Sequence, residues 1–436
     1  MSDPFNDDQN SPSSRRCFLK RSSIIAAGTV IASSLSFPRS VHAGGNDVLK
    51  VGLVGCGGRG TGAAAEALTG DKNTKLVAMG DTFADRLTGS LTNLTTDPAL
   101  SAQIDVPTER QFVGFDAYKN VIDSGVDVVL LCGPPGFRPT HFKYAVEKNK
   151  HVFAEKPVAV DGPGIRTIFA AAQEAKKKGL AVVSGFCYRY NVPMREMVKR
   201  IHDGEIGDVV SLQVSSNKGA SWHNGQKPEW SEMEYQIRNW YYFTWLSGDF
   251  NVEKHVHNID KAAWVMHDEP PIRATGLGGR QVRTGEQFGH IYDHMSVVYE
   301  FKNGTRLYSN CRQINGCSND TSDLIFGTKG TIELARGPVG PGRRRQKKVE
   351  YSGPTMWQQE QTELFASIRN GTPINDGDTM CKSTMMAIMG RMACYTGQSL
   401  EWDQCWNSKE DLMPTKLEWG PIATPPVAMP GITEFV

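Results

Sequence analysis

The chain lacks an excess of charge of either sign, long apolar runs and internal repeats. It has 48 basic and 47 acidic side chains and a formal net charge of +1. Nucleic-acid binders usually carry a basic surplus, so this balance argues against nucleic acid as a partner. No apolar run reaches the roughly 20 residues that a membrane-spanning helix needs, so no membrane span is predicted.

Closely spaced cysteines are also missing. The nine cysteines include no Cys-x-x-Cys pair, and several lie in apolar runs such as VVLLCG, which contains Cys132. That placement is typical of buried thiols rather than of a disulfide framework or a zinc site. For Cys311 and Cys317 alone, the sequence leaves a disulfide bridge open.

The first 43 residues have the order of a twin-arginine export signal. Arg15-Arg16 precedes Phe18-Leu19-Lys20, a modestly apolar stretch rich in Ser and Ala, and the small-residue pattern Val41-His42-Ala43. The alternative is an arginine pair before an amphipathic helix. A twin-arginine signal exports proteins that have already folded, which matters most when a cofactor is inserted beforehand. Residues 1–43 therefore predict a periplasmic or otherwise exported protein with a tightly held cofactor.

The rest of the 436 residues is long enough for two domains. Apolar strand-like runs such as VLKVGLVG alternate with helix-like runs, which predicts an α/β Rossmann domain with a doubly wound parallel sheet over 47–185. Residues 186–436 hold strands with period-two alternation, and Asn303-Gly304 and GTKGTIEL indicate hairpins. This region is predicted to be an α+β domain with a mostly antiparallel open sheet.

A glycine-rich motif follows the first predicted strand. Gly55-Cys56-Gly57-Gly58-Arg59-Gly60 fits G-x-G-x-x-G, and Asp81 ends the next strand. Gly55 permits a tight turn, and Gly57 lets the backbone approach a pyrophosphate at the helix N-terminus. A carboxylate at Asp81 accepts hydrogen bonds from a ribose and repels a 2′-phosphate, which favours NAD; Arg86 leaves NADP open. The alternative is a glycine-rich turn without a ligand.

A lysine follows the strand-like run HVFA. Lys156 stands between Glu155 and Pro157, and the proline removes a backbone donor and ends the ladder. Lysine is strongly hydrated and seldom buried, so the sequence predicts an ammonium group at the mouth of the sheet. The alternative is a surface lysine whose stem packs on the sheet edge.

These segments, together with LLCGPPGFRPTHF, GEIGDVVSLQV and LFASIRNGTPIND, resemble the Gfo/Idh/MocA oxidoreductases, the glucose–fructose oxidoreductase and inositol dehydrogenase group. The resemblance covers nearly all of the chain after residue 43 and, with the export signal, indicates a secreted branch. It implies an NAD(P)-dependent dehydrogenase acting on a carbohydrate CH–OH group, with Glu155 on the nicotinamide ribose and Lys156 beside the nicotinamide. An ammonium there stabilises the charge that develops on a hydroxyl oxygen as hydride leaves.

The family pattern also implies a proton-transfer group in the second domain. His257 takes the place of the general base and Glu253 that of the acid supporting it, one helical turn earlier. Glu253 replaces the family's usual aspartate, and His255 stands where a glycine is usual. No third ligand completes a metal site with His255 and His257, so no metal is predicted. The alternative for His257 is a core histidine that caps a helix.

The remaining site predictions rest on the same resemblance or on residue type. Cofactor contacts are expected from Pro134, Pro135, His141 and Arg189, and substrate contacts from Tyr188, His255, His257 and Asp260. Arg238, Trp240 and Tyr242 belong to the segment EYQIRNWYYFTWLSGD, whose aromatic faces and polar groups suit a sugar; a core or subunit-contact stripe is the alternative.

The sequence thus predicts an oxidoreductase that transfers a hydride from a sugar or cyclitol hydroxyl to a tightly bound nicotinamide. Two alternatives stay open. One is a redox-neutral glycosidase working by oxidation, elimination, addition and reduction. The other is a non-catalytic sugar-binding protein. The family likeness further implies a homodimer or homotetramer, with the second domain binding substrate and carrying the subunit contacts.

Overall fold

The computed structural model describes residues 47–339 and 351–436. The predicted export signal, residues 1–43, lies outside the described residues. Within them the strands are β1 (Leu49–Val54), β2 (Thr74–Asp81), β3 (Gln111–Val113), β4 (Val128–Leu131), β5 (His151–Ala154), β6 (Val182–Ser184), β7 (Val209–Lys218), β8 (Arg273–Gly279), β9 (His294–Glu300), β10 (Arg306–Gln313), β11 (Asp323–Gly327), β12 (Thr331–Glu333), β13 (Gly337–Pro338) and β14 (Leu400–Glu401).

The helices of the described residues cover both sheets. They are α1 (Gly58–Gly70), α2 (Ala84–Thr95), α3 (Ala117–Asp123), α4 (Arg138–Glu147), α5 (Gly162–Lys177), α6 (Val192–His202), α7 (Glu232–Arg238), α8 (Thr244–Ser247), α9 (Val256–Val265), α10 (Met356–Arg369), α11 (Gly377–Thr396) and α12 (Trp402–Trp406). A π-helical turn, Asn251–His255, leads directly into α9.

The first sheet is parallel, with strand order β3-β2-β1-β4-β5-β6. Strands β4 and β5 are buried along their whole length, as expected where helices cover both faces of a sheet. The chain order reverses between β1 and β4, which opens a crevice at the carboxyl ends of these strands. The predicted doubly wound Rossmann sheet is confirmed.

The second sheet has eight strands in the order β13-β12-β11-β7-β10-β9-β8-β14. Its pairs are antiparallel except β7 with β10. The predicted hairpin at Asn303-Gly304 joins β9 to β10, with Glu300 opposite Arg306, and the GTKGTIEL segment joins β11 to β12. The predicted mostly antiparallel sheet is confirmed.

The chain returns to the first sheet after completing most of the second. Helix α10 packs on α1, and Leu364 and Phe365 are fully buried in the core that includes β1 and α1. Helix α11 contacts α5, α9 and β8. The two sheets are therefore joined by buried helices as well as by the chain between β6 and β7, and the boundary at residues 185 and 186 stays a prediction.

The described helices include none that is both long and apolar enough to cross a membrane.

Candidate active site

A cavity of about 560 Å³ opens at the carboxyl ends of β1, β2 and β4. Doubly wound sheets bind ligands at this position, because neighbouring loops diverge where the strand order reverses. Residues of the predicted Rossmann domain (47–185, the first region) and of the predicted second domain (186–436, the second region) both contribute to the wall. The first region provides the glycine-rich turn, Asp81, Arg86, Pro134 and His141, and the second provides Trp222, Asn224, Arg238 and Trp240.

The glycine-rich turn fits a dinucleotide. Gly55 has a φ of +94°, and a Cβ there would lie 2.4 Å from the backbone nitrogen of Gly133. A Cβ on Gly60 would lie 1.8 Å from the carbonyl oxygen of Gly55, so α1 packs directly on the turn. A Cβ on Gly57 or Gly58 would meet nothing within 4 Å. The open backbone at the start of α1 therefore has room for a pyrophosphate.

Asp81 faces the same cavity from the end of β2. Its carboxylate accepts the backbone N–H of Cys56 at 2.6 Å and of Phe83 at 2.9 Å. Burial raises the pKa of Asp81, and the two N–H groups oppose that rise. Arg86 also lines the cavity. The structure thus places two predicted residues in one cavity: Asp81, whose carboxylate favours NAD, and Arg86, whose positive charge is compatible with the 2′-phosphate of NADP.

Pro134 and His141 line the cavity on the side of β4, and Pro135 is buried at the start of the turn that precedes α4. The His141 ring stacks on Tyr118 with centroids 4.0 Å apart. Burial lowers the pKa of His141 to about 3. His141 is therefore a neutral, flat part of the wall at neutral pH.

Arg59 reaches from the glycine-rich turn to a group of carboxyl side chains. Its Nε lies 2.6 Å from Glu155, and its Nη2 lies 2.5 Å from Glu66 and 3.8 Å from Glu360. Glu360 is fully buried, and burial and the charge of Glu155 raise its pKa well above the usual value. This contact places Glu155 beside the turn that would hold the pyrophosphate.

Lys156 extends from the carboxyl end of β5 toward the second domain. Its Nζ donates to the backbone carbonyl of Glu253 at 2.5 Å and to the Glu253 carboxylate at 2.8 Å. The two side chains are only 12% and 13% exposed. The ammonium predicted at the mouth of the sheet therefore faces the π-helical turn, and Glu253 holds it there.

The structure does not place Glu253 on His257, as the i, i+4 spacing predicts. Glu253 lies in the π-helical turn, whereas His257 lies in the first turn of α9. A π-helical turn contains more residues than an α-helical turn, so side chains four residues apart no longer lie above one another. Glu253 pairs with Lys156 instead. The Nδ1 atom of His257 is buried and has no hydrogen-bond partner among the described residues.

His257 lies between aromatic rings and cations. Its ring meets Phe186 and Tyr188 edge-on, with centroids 6.3 and 5.4 Å away. Burial, followed by the positive charge of nearby ammonium groups, holds the pKa of His257 well below its usual value. These ammonium groups belong to Lys156, Lys261, Lys254 and Lys218. His257 is therefore a neutral imidazole at neutral pH.

Two residues predicted to contact substrate lie in the core. His255 is fully buried, its Nε2 lies 2.7 Å from the Ser309 hydroxyl, and burial lowers its pKa to about 3. Asp260 is also fully buried and accepts the Nε–H of Arg189 at 2.8 Å. Arg189, expected at the cofactor, additionally pairs with Asp268 at 2.6 Å. These groups brace α9, which carries His257.

Arg238, a residue of the second domain, contacts the Rossmann domain at the rim of the cavity. Its guanidinium donates to both oxygens of Asp85 in α2, at 3.0 and 3.1 Å, and lies 3.9 Å from the centre of the Phe83 ring. Trp419 packs on Phe83 and Phe115 with centroids 5.7 and 4.6 Å apart. Phe83 and Phe115 line the cavity themselves.

The segment predicted to contact a sugar lies over the dinucleotide cavity. Residues 219–242, which we name the cover segment, begin after β7. Trp222 and Trp240 line the cavity with ring centroids 6.1 Å apart. The hydroxyl of Tyr242, a buried residue, donates to the carbonyl of Trp222 at 2.8 Å. Tyr242 thus fixes the backbone that carries Trp222.

Two family models match this chain. Residues 49–186 match the oxidoreductase family with an NAD-binding Rossmann fold, and residues 194–333 match the GFO/IDH/MocA C-terminal domain. The chain belongs to the GFO/IDH/MocA oxidoreductase family. The family resemblance and the NAD cofactor predicted from the sequence are confirmed, and the family model together with relatives named inositol 2-dehydrogenase supports a dehydrogenase acting on carbohydrate or cyclitol hydroxyls.

Named relatives include proteins of more than one activity. Inositol 2-dehydrogenase of Rhizobium meliloti is 23% identical over 285 residues, which is 65% of this chain and 74% of the relative. The Escherichia coli 2,7-anhydro-N-acetylneuraminate hydratase is 25% identical over 234 residues, 53% of this chain and 57% of the relative. The solved structure of Lactobacillus casei scyllo-inositol dehydrogenase with bound NAD(H) and scyllo-inositol has a TM-score of 0.61 at 18% identity. It covers 82% of this chain and 100% of its own, and shows a shared fold.

The cysteines of this GFO/IDH/MocA protein form no disulfide within the described residues. Cys311 is buried and Cys317 is exposed, and both are free. In the same part of the chain, no group of three His, Cys, Asp or Glu side chains is arranged to hold a metal ion.

The sequence reasoning missed several residues of the cavity wall. Phe83, Asp85, Trp222 and Trp419 contact the cavity or its rim, and none was predicted. For Trp222 the sequence does contain a signal. A tryptophan in an irregular segment directly after a strand indicates a ring that packs on a neighbouring surface, because so large an apolar ring is seldom left in water. For Asp85 no local signal exists, because its partner Arg238 is 153 residues away.

Proposed function

We propose that this GFO/IDH/MocA protein is an exported oxidoreductase that keeps NAD bound and oxidises a hydroxyl group of a sugar or cyclitol. The observation that carries the proposal is the contact of Lys156 with Glu253 at the carboxyl end of β5, close to His257. The relative named inositol 2-dehydrogenase supports a polyhydroxylated ring as the substrate class.

Lys156 stabilises the charge that develops during oxidation. NAD, when bound, accepts the hydride that leaves the substrate carbon. The hydroxyl on that carbon loses its proton at the same time, so its oxygen becomes negative. An ammonium held in a shielded site stabilises this oxygen more strongly than water does. Glu253 positions the Lys156 ammonium before the substrate arrives.

His257 accepts the hydroxyl proton. Its lowered pKa keeps the imidazole neutral, so a nitrogen lone pair is free at neutral pH. The same low pKa favours release of the proton afterwards. The network of Asp260, Arg189 and Asp268 holds α9, and with it the imidazole, in a fixed position.

The cover segment explains how the protein would retain NAD outside the cytoplasm. Trp222 and Trp240 lie against the cavity, and Arg238 binds Asp85 across its rim. These contacts would hold a bound dinucleotide from the side opposite the glycine-rich turn. Retention suits the export predicted from residues 1–43, since an exported enzyme has no access to the cytoplasmic pool of NAD.

The test begins with protein purified after export. Nucleotide released by acid is quantified by mass spectrometry, and about one NAD per chain is expected. Reduction of the resident NAD by a panel of sugars and cyclitols is then followed by absorbance. Lys156→Ala is expected to lower that rate about 10²- to 10⁴-fold while the NAD content is kept. Lys143→Ala, at a 60% exposed lysine of α4, is the control. A site without NAD, or an unchanged rate in Lys156→Ala, contradicts the proposal.

The relative named 2,7-anhydro-N-acetylneuraminate hydratase favours a second candidate. This candidate is the redox-neutral reaction left open by the sequence, in which bound NAD would be reduced and reoxidised within one turnover while elimination breaks a bond and water adds to the product. Product analysis separates the candidates. A released aglycone or hydrated product without accumulated NADH supports the redox-neutral reaction, and stoichiometric NADH or a reduced second sugar supports the dehydrogenase.

A further inference from the structure

Four lysines lie around His257, and two of them are neutralised by carboxylates. Lys156 pairs with Glu253 at 2.8 Å. Lys261, one turn further along α9, pairs with the buried Asp323, and its ammonium lies 4.5 Å from the centre of the Tyr188 ring. These two pairs contribute no net charge to the site.

The other two lysines are unpaired. Neither Lys218 nor Lys254 has a carboxylate within 4 Å of its ammonium group among the residues that the structure describes. Lys218 and Lys254 therefore add two positive charges near His257 that no ion pair of their own among the described residues neutralises. The charge of Glu253, which is already paired with Lys156, also acts on Lys254.

Both unpaired lysines lie on the His257 side of the second sheet. Lys218 ends β7, where Leu212 and Val214 alternate with outward-facing residues and are fully buried. Side chains two residues apart share one face of a strand, so Lys218 lies on the side of the sheet that carries α9, at the strand end, where its side chain is exposed; Lys254 is exposed as well. Lys254 lies in the π-helical turn immediately before α9.

The position of Lys218 also connects this site to the cofactor cavity. Lys218 directly precedes the cover segment, and Trp222, four residues later, lines the cavity. Lys254 directly follows Glu253, whose carboxylate and backbone carbonyl hold Lys156, so a substrate whose hydroxyl binds at Lys156 lies within reach of Lys254.

We propose that the substrate is an anionic sugar or cyclitol whose charged group binds Lys218 and Lys254. The inference rests on the proposed oxidation of a ring hydroxyl at Lys156 and His257. A carboxylate, phosphate or sulfate ester on the ring supplies a negative charge that the two ammonium groups attract. Such attraction persists over several ångströms in partly solvated surroundings. After burial and the charges of Lys156 and Lys261, the charges of Lys254 and Lys218 also lower the pKa of His257.

Calorimetric titration of the NAD-loaded protein tests the binding. D-Glucuronate, D-glucose 6-phosphate and D-glucose 6-sulfate are compared with D-glucose at equal ionic strength, and the three charged probes distinguish the possible anionic groups. At least one charged probe is expected to bind about tenfold or more tightly than glucose, with an affinity that falls as salt is added. Lys218→Gln and Lys254→Gln are each expected to weaken that binding about two- to fivefold.

The matched control is Lys177→Gln, at a lysine of α5 that is 77% exposed, for which no change is expected. Equal affinity for glucose and for every charged probe, or binding of a charged probe that neither lysine variant weakens, overturns the inference.

Reduction of the resident NAD by the same sugars separates this inference from the proposed function. Charged probes that bind through the two lysines but never reduce NAD support the anion site and contradict the oxidoreductase. A neutral sugar that reduces NAD, while the charged probes fail to bind, supports the oxidoreductase and contradicts the anion site.

Discussion

Lys156 and Glu253 stand 97 residues apart in the chain and form one shielded contact between the first sheet and the π-helical turn. Such a pair contributes little net stability, because removing two charges from water offsets their attraction. Its value lies in position, since an ammonium that is already held in place does not have to be ordered during the reaction.

We expect Glu253→Gln to lower kcat about tenfold or more, because the neutral amide holds the Lys156 ammonium less firmly. The bound NAD content is expected to stay the same, since Glu253 is not part of the cavity wall. Turnover of the resident NAD and its content per chain are measured together. Glu253→Asp keeps the charge and should recover part of the rate; a Gln variant as fast as the unmodified protein would refute this role.

The burial of His255 predicts that the free energy of unfolding falls in acid. Its pKa is about 3 in the folded chain, whereas an unfolded histidine has a pKa near 6.5. Below about pH 6.5 the unfolded chain binds a proton that the folded chain does not, so His255 lowers the free energy of unfolding as the pH falls and has no such effect above.

The comparison is with His255→Asn, which keeps a polar group near Ser309 but does not titrate. Urea unfolding is measured from about pH 8 to about pH 5. The difference between the two proteins should be constant above about pH 6.5 and shift by about 2 kcal/mol against the histidine at about pH 5. A difference independent of pH would show that His255 is protonated without cost in the folded chain.

At the scale of elements, the cover segment forms one wall of the cofactor cavity. Two contacts hold the segment in place, one within it and one to the Rossmann domain. Tyr242 binds the carbonyl of Trp222 within the segment, and Arg238 binds Asp85 outside it. We therefore expect the retention of NAD to depend on contacts made by residues of the second domain as well as on the glycine-rich turn.

A double-mutant cycle on this contact checks the idea. Arg238→Ala and Asp85→Ala are each expected to speed NAD release about three- to tenfold, and the double variant should be little faster than either one. The measurement is the dissociation rate of NAD from the purified protein. Lys119→Ala, which removes an exposed ion pair with Asp116 on α3, serves as the control. Additive effects in the double variant would mean that the two residues act independently.

At the scale of the whole molecule, the cavity wall combines the carboxyl end of the Rossmann sheet with the cover segment, and Trp419 near the end of the chain packs on Phe83 and Phe115 of that wall. A ligand that binds only this folded arrangement stabilises it, by about 2.7 kcal/mol when present at about 100 times its Kd. Removal of NAD should therefore lower the Tm of the protein by several degrees.

Gly57→Ala makes this prediction specific. A Cβ at Gly57 meets no protein atom within 4 Å, so the variant should fold with the Tm of the NAD-free protein. The added methyl group occupies the space of the pyrophosphate, so NAD should no longer raise the Tm. Gly89→Ala is the control. Gly89 lies in α2, where an added Cβ also meets no atom within 4 Å, so this variant should keep the rise in Tm that NAD causes. A full NAD effect in Gly57→Ala would place the dinucleotide elsewhere.

The sequence by itself determined those features that depend on neighbours along the chain. The turn at Gly55 requires glycine because its φ is +94°, a backbone conformation that other residues rarely adopt. The parallel strands are recognisable because both of their faces are buried, and the hairpin at Asn303-Gly304 because its turn is local. The same local signals located Asp81, Glu155 and Lys156 at strand ends, where sheets present ligand-binding groups.

The tertiary structure alone decided which distant groups meet. The π-helical turn moves Glu253 away from His257 and onto Lys156. Packing turns Arg238 to Asp85 at the rim of the dinucleotide cavity and buries Asp260 against Arg189, while the contacts of these two residues with a substrate stay predictions. Periodicity predicts which face of an element is buried, but the partner on the other side depends on how all elements pack, and no short stretch of the sequence contains that information.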